Sequence, residues 1–198
     1  MNTDKEIVER SRSGPAIFGE LYDRHAPDIY RYAARRAGDF AAEDVMAETF
    51  LIAFEGRAAF DGPAEAVRPW LFGIATNLLR RHHRSEARML RALARNGGHS
   101  YSSDGFDAVD AQVDADGDRS RIGAALQALA PIDREAILLY AWAELTYDGI
   151  ATAMGVPIGT VRSRINRARR KLRTDLGFAL FDEMDSDHGR TAPASRHA

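Results

Sequence analysis

The sequence predicts an all-α protein of two small helical domains joined by a flexible acidic linker, and three observations lead to that prediction. Apolar residues recur at helical spacing through most of the first half of the chain, and they do so again after residue 122. Between these parts, residues 97–118 contain six aspartates, many Gly and Ser, and neither Lys nor Arg. Such a tract cannot bury enough apolar surface to order itself. We therefore expect domains at 14–96 and 119–181, and a disordered polar tail at 182–198.

Composition limits the class of protein. The 198 residues are 45% hydrophobic, which is ordinary for a globular protein, and their formal net charge is only −2. If such a chain binds DNA, its charges must be segregated. The chain has no cysteine, so disulfides and cysteine-ligated metals are excluded. The N-terminal residues lack an apolar core, and nowhere do eighteen apolar residues run together. We expect a soluble, cytoplasmic protein without membrane insertion.

The first domain is expected to begin with a helix over residues 16–36, in which Pro27 should cause a kink or an interruption. Gly38 to Phe40 then predicts a turn, and residues 41–54 predict a second, amphipathic helix. The exposed side of that second helix is acidic, which is typical of a solvated face but also suits a docking surface. His25 has no second metal ligand at a fitting spacing, so we expect it to be a core or surface histidine.

A loop is expected over residues 56–67, and a long basic helix is expected over residues 68–96. Seven arginines in that helix face a single acid, Glu86, and Trp70 and Phe72 stand at its start. Aromatic and guanidinium groups together suit unstacked nucleic-acid bases, although spacing favours a core position for at least one ring. His82 and His83 point about 100° apart on a helix and cannot readily share an ion, so polar contacts to phosphate are favoured.

The second domain ends in a predicted helix-turn-helix over residues 145–173. Gly155 suits the left-handed end of the first helix, and Pro157 suits the first turn of the second. In the second helix an apolar stripe of Val161, Ile165, Ala168 and Leu172 predicts the buried face. Seven Lys and Arg residues between positions 161 and 173 have no acid among them, whereas a merely solvated helix usually alternates charges. The pattern favours a recognition helix in a DNA major groove.

Three stretches, AEDVMAETFLIAF, RPWLFGIATNLLRRHHR and LAPIDREAILLYAWAELTYDGIATAMGVPIGTVRSRINRARRKL, make a family likeness apparent. The chain resembles the bacterial RNA polymerase sigma factors of the sigma-70 family, and specifically the extracytoplasmic-function (ECF) group, which retains only the second and fourth sigma domains. The likeness covers most of both predicted domains, and GTVRSRINRARRKL is its most specific part. It implies core RNA polymerase and promoter DNA as partners, with an anti-sigma factor as a further candidate. It implies no cofactor, no metal and no catalytic activity.

The resemblance also implies roles for particular residues. Asp44 and Glu48 correspond to the acidic helix that docks on core polymerase. Residues implied in opening and reading the minus-10 element are Arg68, Trp70, Asn77, Arg80, Arg81 and Arg84. Residues implied in reading the minus-35 element are Thr160, Arg162, Ser163, Arg164, Asn166, Arg167, Arg170 and Lys171. The chain departs from the family's pattern where Thr76 stands in place of a frequent basic residue, and where Ile52 and Phe54 replace a common arginine and tryptophan.

Two other classes of protein could account for parts of this sequence. A stand-alone helix-turn-helix regulator would explain the second domain, but it would leave the basic helix at 68–96 without a role. A nucleic-acid hydrolase is disfavoured because the sequence has no phosphate-binding glycine loop, no HExxH motif and no nucleophile elbow. Binding to core polymerase separates the first alternative from a sigma factor.

Overall fold

The computed structural model describes residues 2–96 and 115–176, which are helical apart from turns and short loops. The α-helices of the described residues are α1 (Asp4–Ser11), α2 (Gly19–Gly56), α3 (Val67–Asn96), α4 (Ala115–Gln127), α5 (Pro131–Ala141), α6 (Tyr147–Met154) and α7 (Ile158–Leu176). The chain divides into two compact units, residues 1–111 and 112–198. None of the described helices is both long and apolar enough to cross a lipid bilayer. The prediction of an all-α protein with two helical domains is confirmed.

The first unit is built around a reversal of α2 at Gly38, where φ is 77° and ψ is 164°. The residues on either side of Gly38 form two limbs, 19–37 and 39–56, that fold back on each other. The rings of Tyr22 and Phe50, one from each limb, lie 4.8 Å apart edge to face. The turn predicted at Gly38 to Phe40 is confirmed, with its non-helical residue at Gly38. Its physical reason is that a positive φ of this kind favours glycine. The predicted interruption at Pro27 is wrong, because α2 keeps helical angles through that residue.

Helix α3 packs against α2 through an apolar face. Leu71, Phe72 and Leu79 are at most 1% exposed, and the Phe72 ring meets the ring of Tyr32 edge to face at 5.2 Å. Phe72 is therefore a core residue and is not available to stack on a base. Trp70 remains partly exposed beside the ring of Phe60, with ring centroids 4.8 Å apart.

Helix α1 was not predicted, and it extends the first unit before residue 14. Thr3 and Glu6 form a reciprocal capping box, in which the Glu6 amide donates to Thr3 Oγ1 and the Thr3 amide donates to Glu6 Oε2. Ile7 and Val8 are fully buried. His25 is also buried, and its Nε2 lies 2.7 Å from Asp4 Oδ2, so of the two expected positions, core and surface, it has the core position.

The second unit contains α4 to α7 with a small core of its own. Leu126, Leu129, Leu138, Leu139 and Ile150 are buried there, together with the predicted stripe of α7. Helix α4 begins at Ala115, inside the tract predicted to be a linker. The rest of that tract, and the predicted tail at 182–198, lie outside the described residues.

Candidate nucleic-acid and polymerase interfaces

The helix-turn-helix is formed by α6, a tight turn and α7. Thr146 Oγ1 accepts a hydrogen bond from the Gly149 amide and caps α6. At the other end Gly155 is left-handed, with φ 63°, and the Val156 amide donates to the carbonyl of Ala151. These are the bonds of a glycine-terminated helix end. Helix α7 begins at Ile158, so Pro157 lies just before the first turn, whereas the sequence predicted a position within it. The carbonyl of Pro157 accepts a hydrogen bond from the Thr160 amide at 2.9 Å.

The orientation of α7 is fixed by its buried stripe. Val161, Ile165 and Ala168 are fully buried and Leu172 is 4% exposed, as the spacing predicted. The opposite face is left to solvent, so its polar side chains form one continuous surface. The exposed members of that surface are Arg162, Ser163, Asn166, Arg167, Arg170 and Lys171. Thr160 and Arg164 are half-buried, and Arg164 Nη1 lies 3.9 Å from Met154 Sδ.

Arg169 does not belong to the exposed basic surface of α7. Its guanidinium lies over the ring of Tyr140, 5.0 Å from the ring centre, and its side chain is partly buried. This cation–π contact attaches α7 to α5, so Arg169 is not part of the exposed basic set of α7.

Arg167 is held by an acid that the sequence analysis did not single out. Its Nε and Nη2 donate to the two carboxylate oxygens of Asp133, at 3.0 and 2.8 Å. Asp133 is 7% exposed and lies in the first turn of α5, where a helix dipole favours negative charge. The hydrogen bonds that Arg167 donates to Asp133 raise the pKa of its guanidinium above the ordinary value. Arg167 therefore stays charged and has a fixed direction.

Lys171 also has an acidic partner, just past the basic stretch. Its Nζ lies 3.1 Å from Asp175 Oδ2, one helical turn further along α7. Both side chains keep solvent contact, so the pair is weak and can open when a phosphate approaches.

On α3, the residues implied in minus-10 recognition are in mixed environments. Asn77, Arg80, Arg81 and Arg84 are exposed, and the Nε of Arg84 donates to the Arg80 carbonyl one turn earlier. Arg68 is partly buried between Asp28, whose Oδ2 lies 3.3 Å from Nη2, and the face of the Phe72 ring at 4.9 Å. The exposed residues and Trp70 are thus placed to meet a partner, whereas Arg68 also contributes to packing.

An ion pair joins the acidic limb of α2 (39–56) to α3. Arg81 Nη2 donates to Glu48 Oε1 at 2.6 Å, so a residue implied in DNA contact pairs with a residue implied in polymerase contact. Asp44 is exposed on the same limb, and Leu51 is 56% exposed one turn beyond Glu48. Leu51 was missed, although its spacing of seven residues from Asp44 and three from Glu48 puts it on the same side of the helix as those acids.

The two neighbouring histidines of α3 share one acid. His82 Nε2 lies 3.3 Å and His83 Nδ1 lies 3.6 Å from the two oxygens of Glu86. Burial lowers the pKa of His83 below 6.5, and the positive charge of Arg36 lowers it further. Among the described residues, no group of three His, Asp or Glu side chains is arranged to hold a metal ion.

The chain matches two family models in order. The model described as Sigma-70 region 2 matches residues 21–89, and the model described as Sigma-70, region 4 matches residues 119–172. The chain is 36% identical to the ECF RNA polymerase sigma factor SigL of Mycobacterium tuberculosis, over 81% of this chain and 89% of SigL. It is 35% identical to the ECF RNA polymerase sigma factor SigE of Mycolicibacterium smegmatis, over 86% of this chain and 71% of SigE.

Two solved structures are also similar. One is CnrH in complex with the cytosolic domain of CnrY, with a TM-score of 0.60 and 25% identity over 94% of this chain and 99% of CnrH. The other is the sigma factor RpoE in complex with the anti-sigma factor NepR from Bartonella quintana. Its TM-score is also 0.60, with 25% identity over 82% of this chain and 98% of RpoE.

Proposed function

Because the chain belongs to the family of ECF RNA polymerase sigma factors, we propose that it binds core RNA polymerase and directs promoter recognition, promoter opening and transcription initiation. The observation that supports this most is the occurrence of both matched regions, in family order, in one chain. A stand-alone regulator would need only the helix-turn-helix, and it would leave the first unit without a role. The protein then acts in the cytoplasm, with no cofactor and no catalytic step of its own.

We assign the minus-35 element to α7. The N-terminal half of a recognition helix sits deepest in the major groove, whereas its later residues leave toward the phosphates. The proposed base-side set is Thr160, Arg162, Ser163, Arg164, Asn166 and Arg167, and the proposed phosphate set is Arg170 and Lys171. The continuous solvent-facing surface of α7 supports DNA contact by both sets, although Thr160 and Arg164 are only partly exposed.

We assign the minus-10 element to α3 and its preceding loop. Unstacked bases need ring faces and polar edges, while the displaced backbone needs positive charge. The proposed set is Arg68, Trp70, Asn77, Arg80, Arg81 and Arg84. Exposure of Asn77 and the three later arginines supports their assignment, and the buried position of Phe72 leaves Trp70 as the ring available in this set.

Asp44 and Glu48 are assigned to core polymerase, and Leu51 is added to them. An exposed apolar side chain within an acidic rim is suited to a partner that offers both apolar and basic groups. The domain assignment is residues 14–96 for the polymerase and minus-10 functions, with α1 added to it. Residues 119–181, with α4 extending back to Ala115, have the minus-35 function. An anti-sigma factor is a further proposed partner, because the similar sigma factor RpoE is bound to one in its solved structure.

The polymerase surface is tested by reversing its charge. Asp44→Lys combined with Glu48→Lys should weaken association with core polymerase by roughly tenfold or more at low salt, because a complementary field is replaced by a repulsive one. Titration of labelled protein with core enzyme at two salt concentrations measures this effect. The matched control is Glu9→Lys with Glu20→Lys, which makes the same charge change at exposed positions of α1 and α2 outside the proposed surface.

Equal losses of affinity for core polymerase in the two double variants would show that only net charge matters. Unchanged affinity in a folded Asp44→Lys, Glu48→Lys protein would show that this surface does not bind the polymerase. If the wild-type chain bound promoter DNA but not core polymerase, the regulator alternative would replace the sigma assignment.

A further inference from the structure

Asp133 is a buried acid of the second unit that is bonded to a residue of the exposed basic surface of α7. Its side chain is 10% exposed, whereas that of Arg167 is 47% exposed. The carboxylate accepts two hydrogen bonds from one side of the guanidinium, at Nε and Nη2. A two-bond fork of this kind fixes both the position and the plane of an arginine head group.

The fork leaves part of Arg167 unused. A guanidinium has five N–H donors, and Asp133 takes two of them. The three that remain are both hydrogens of Nη1 and the second hydrogen of Nη2, and they form the outer end of the group. One hydrogen from each of Nη1 and Nη2 makes a second parallel fork, which matches the O6 and N7 acceptors of guanine in the major groove.

We propose that Asp133 is the positioning residue that holds Arg167 so that its outer edge reads one guanine of the upstream promoter element. This inference rests on the proposed function, since it requires α7 to enter the major groove. It adds a specificity determinant that lies on α5, outside the recognition helix itself.

Two physical consequences separate this role from a simple ion pair. A side chain that is already fixed loses little rotational freedom when it binds. The Asp133–Arg167 pair therefore strengthens binding to the one base that fits this orientation and not to the other bases. The carboxylate also offsets the positive charge of Arg167, which makes that arginine a poorer general phosphate anchor. Loss of Asp133 should therefore reduce discrimination at one base pair without reducing binding to every sequence.

The experiment uses the full chain reconstituted with core RNA polymerase and a promoter library randomised in the upstream element. Wild type, Asp133→Asn, Arg167→Ala, Arg167→Lys and the double variant Asp133→Asn, Arg167→Ala are compared by sequencing the bound and unbound promoters. We expect wild type to prefer guanine at one position, and we expect Asp133→Asn to reduce that preference about tenfold while other positions keep theirs. Arg167→Ala should lose the same preference, and the double variant should resemble it.

Asp175→Asn is the matched control. Asp175 and Asp133 both line the groove beside Arg167, Arg170 and Lys171, and each substitution removes one negative charge. Asp175 pairs with Lys171 and not with Arg167, so its loss should change all promoters about equally and relax no base. Arg167→Lys keeps the charge but lacks the planar guanidinium fork, so it should weaken the guanine preference even if Asp133→Asn folds poorly.

Four results would overturn the proposal. The first is an Asp133→Asn effect spread evenly over all positions, and the second is a guanine preference left undiminished by Arg167→Lys. The third is a preference at the Arg167-dependent position for a base other than guanine. The fourth is a relaxation by Asp175→Asn equal to that by Asp133→Asn. Failure of the proposed function would look different, because the wild-type chain would then show no upstream preference at all when bound to core polymerase.

Discussion

Arg36 is a buried cation in the interface between α2 and α3. It is 5% exposed, its Nη1 donates to the Tyr32 hydroxyl at 2.7 Å, and its guanidinium lies 5.3 Å from the centre of the Tyr32 ring. The Tyr32 hydroxyl also lies 3.0 Å from Thr76 Oγ1, so the polar chain crosses from one helix to the other. A buried charge is costly unless it is well bonded, and these contacts offset part of that cost. Thr76, noted in the sequence as a departure from the family's pattern, is part of this packing.

His83 should make the stability of the first unit depend on pH. Its folded pKa is below 6.5 because of burial and the charge of Arg36, which outweigh the opposing influence of Glu86. Between the folded pKa and 6.5 the unfolded chain binds more protons, so the free energy of unfolding falls as the pH falls through that window. We expect His83→Gln to remove the contribution of His83 to the pH dependence of the unfolding free energy. Above about pH 7.5, any difference in stability between the variant and wild type reflects lost packing alone.

The measurement is urea unfolding of wild type and His83→Gln at pH 5.5 and 7.5, followed by the fluorescence of Trp70 in a Trp142→Phe background. Trp70 reports on the first unit, because the protein's other tryptophan belongs to the second. The variant should lose less stability than wild type between the two pH values. An equal loss would mean that His83 does not contribute to the pH dependence.

At the scale of elements, Gly38 determines the geometry of the first unit. Its φ of 77° with ψ of 164° is strained for any residue that has a Cβ. Gly38→Ala should therefore lower the free energy of unfolding of the first unit by about 1–3 kcal/mol. The same urea titration of Trp70 fluorescence measures the loss.

Gly19→Ala is the control for Gly38, because Gly19 lies in the same helix with φ −56° and open space around a new Cβ. Its effect should stay within about 0.5 kcal/mol of zero. A similar loss of unfolding free energy in both variants would show that the reversal at Gly38 tolerates a Cβ without added strain.

Short-range patterns explain which elements could be predicted from the sequence. The stripe of α7, the end of α6 at Gly155 and the reversal at Gly38 depend on spacing or on one residue's own conformation, and each was recognised. Helix α1 was missed although Thr3 and Glu6 give a capping signal, since its apolar content is only two buried residues. At Pro27, the predicted interruption failed because packing of α2 on both sides, through Leu21 and Ile29, outweighs the local preference of proline.

Candidate contact residues could be predicted as members of a charged face, but their partners could not. Asp133 and Arg167 are 34 positions apart, and Glu48 and Arg81 are 33 apart, on different helices in both cases. No helical repeat connects such positions, so only the fold shows that they meet. For the same reason, the sequence could not separate Arg169, which packs on Tyr140, from the exposed arginines of α7.

At the scale of the whole molecule, separation of charge explains how a chain of net charge −2 can bind both an acidic polymer and a protein. Exposed bases collect on α3 and α7, while acids collect on the second limb of α2 and in residues 97–118. Association with DNA depends on the local field of a surface and not on the sum over the chain. Each surface can therefore act on a different partner.

The most direct measurement is transcription by core RNA polymerase, with and without this chain, from a promoter library randomised in both elements. We expect transcripts only when the chain is present, with sequence requirements in both elements. Arg162→Ala should relax the upstream element alone, with about 1–3 kcal/mol lost at one position, and Asn77→Ala should alter the downstream element alone. Transcripts that did not depend on the chain, or a dependence confined to the upstream element, would contradict its role as a two-element promoter-recognition factor.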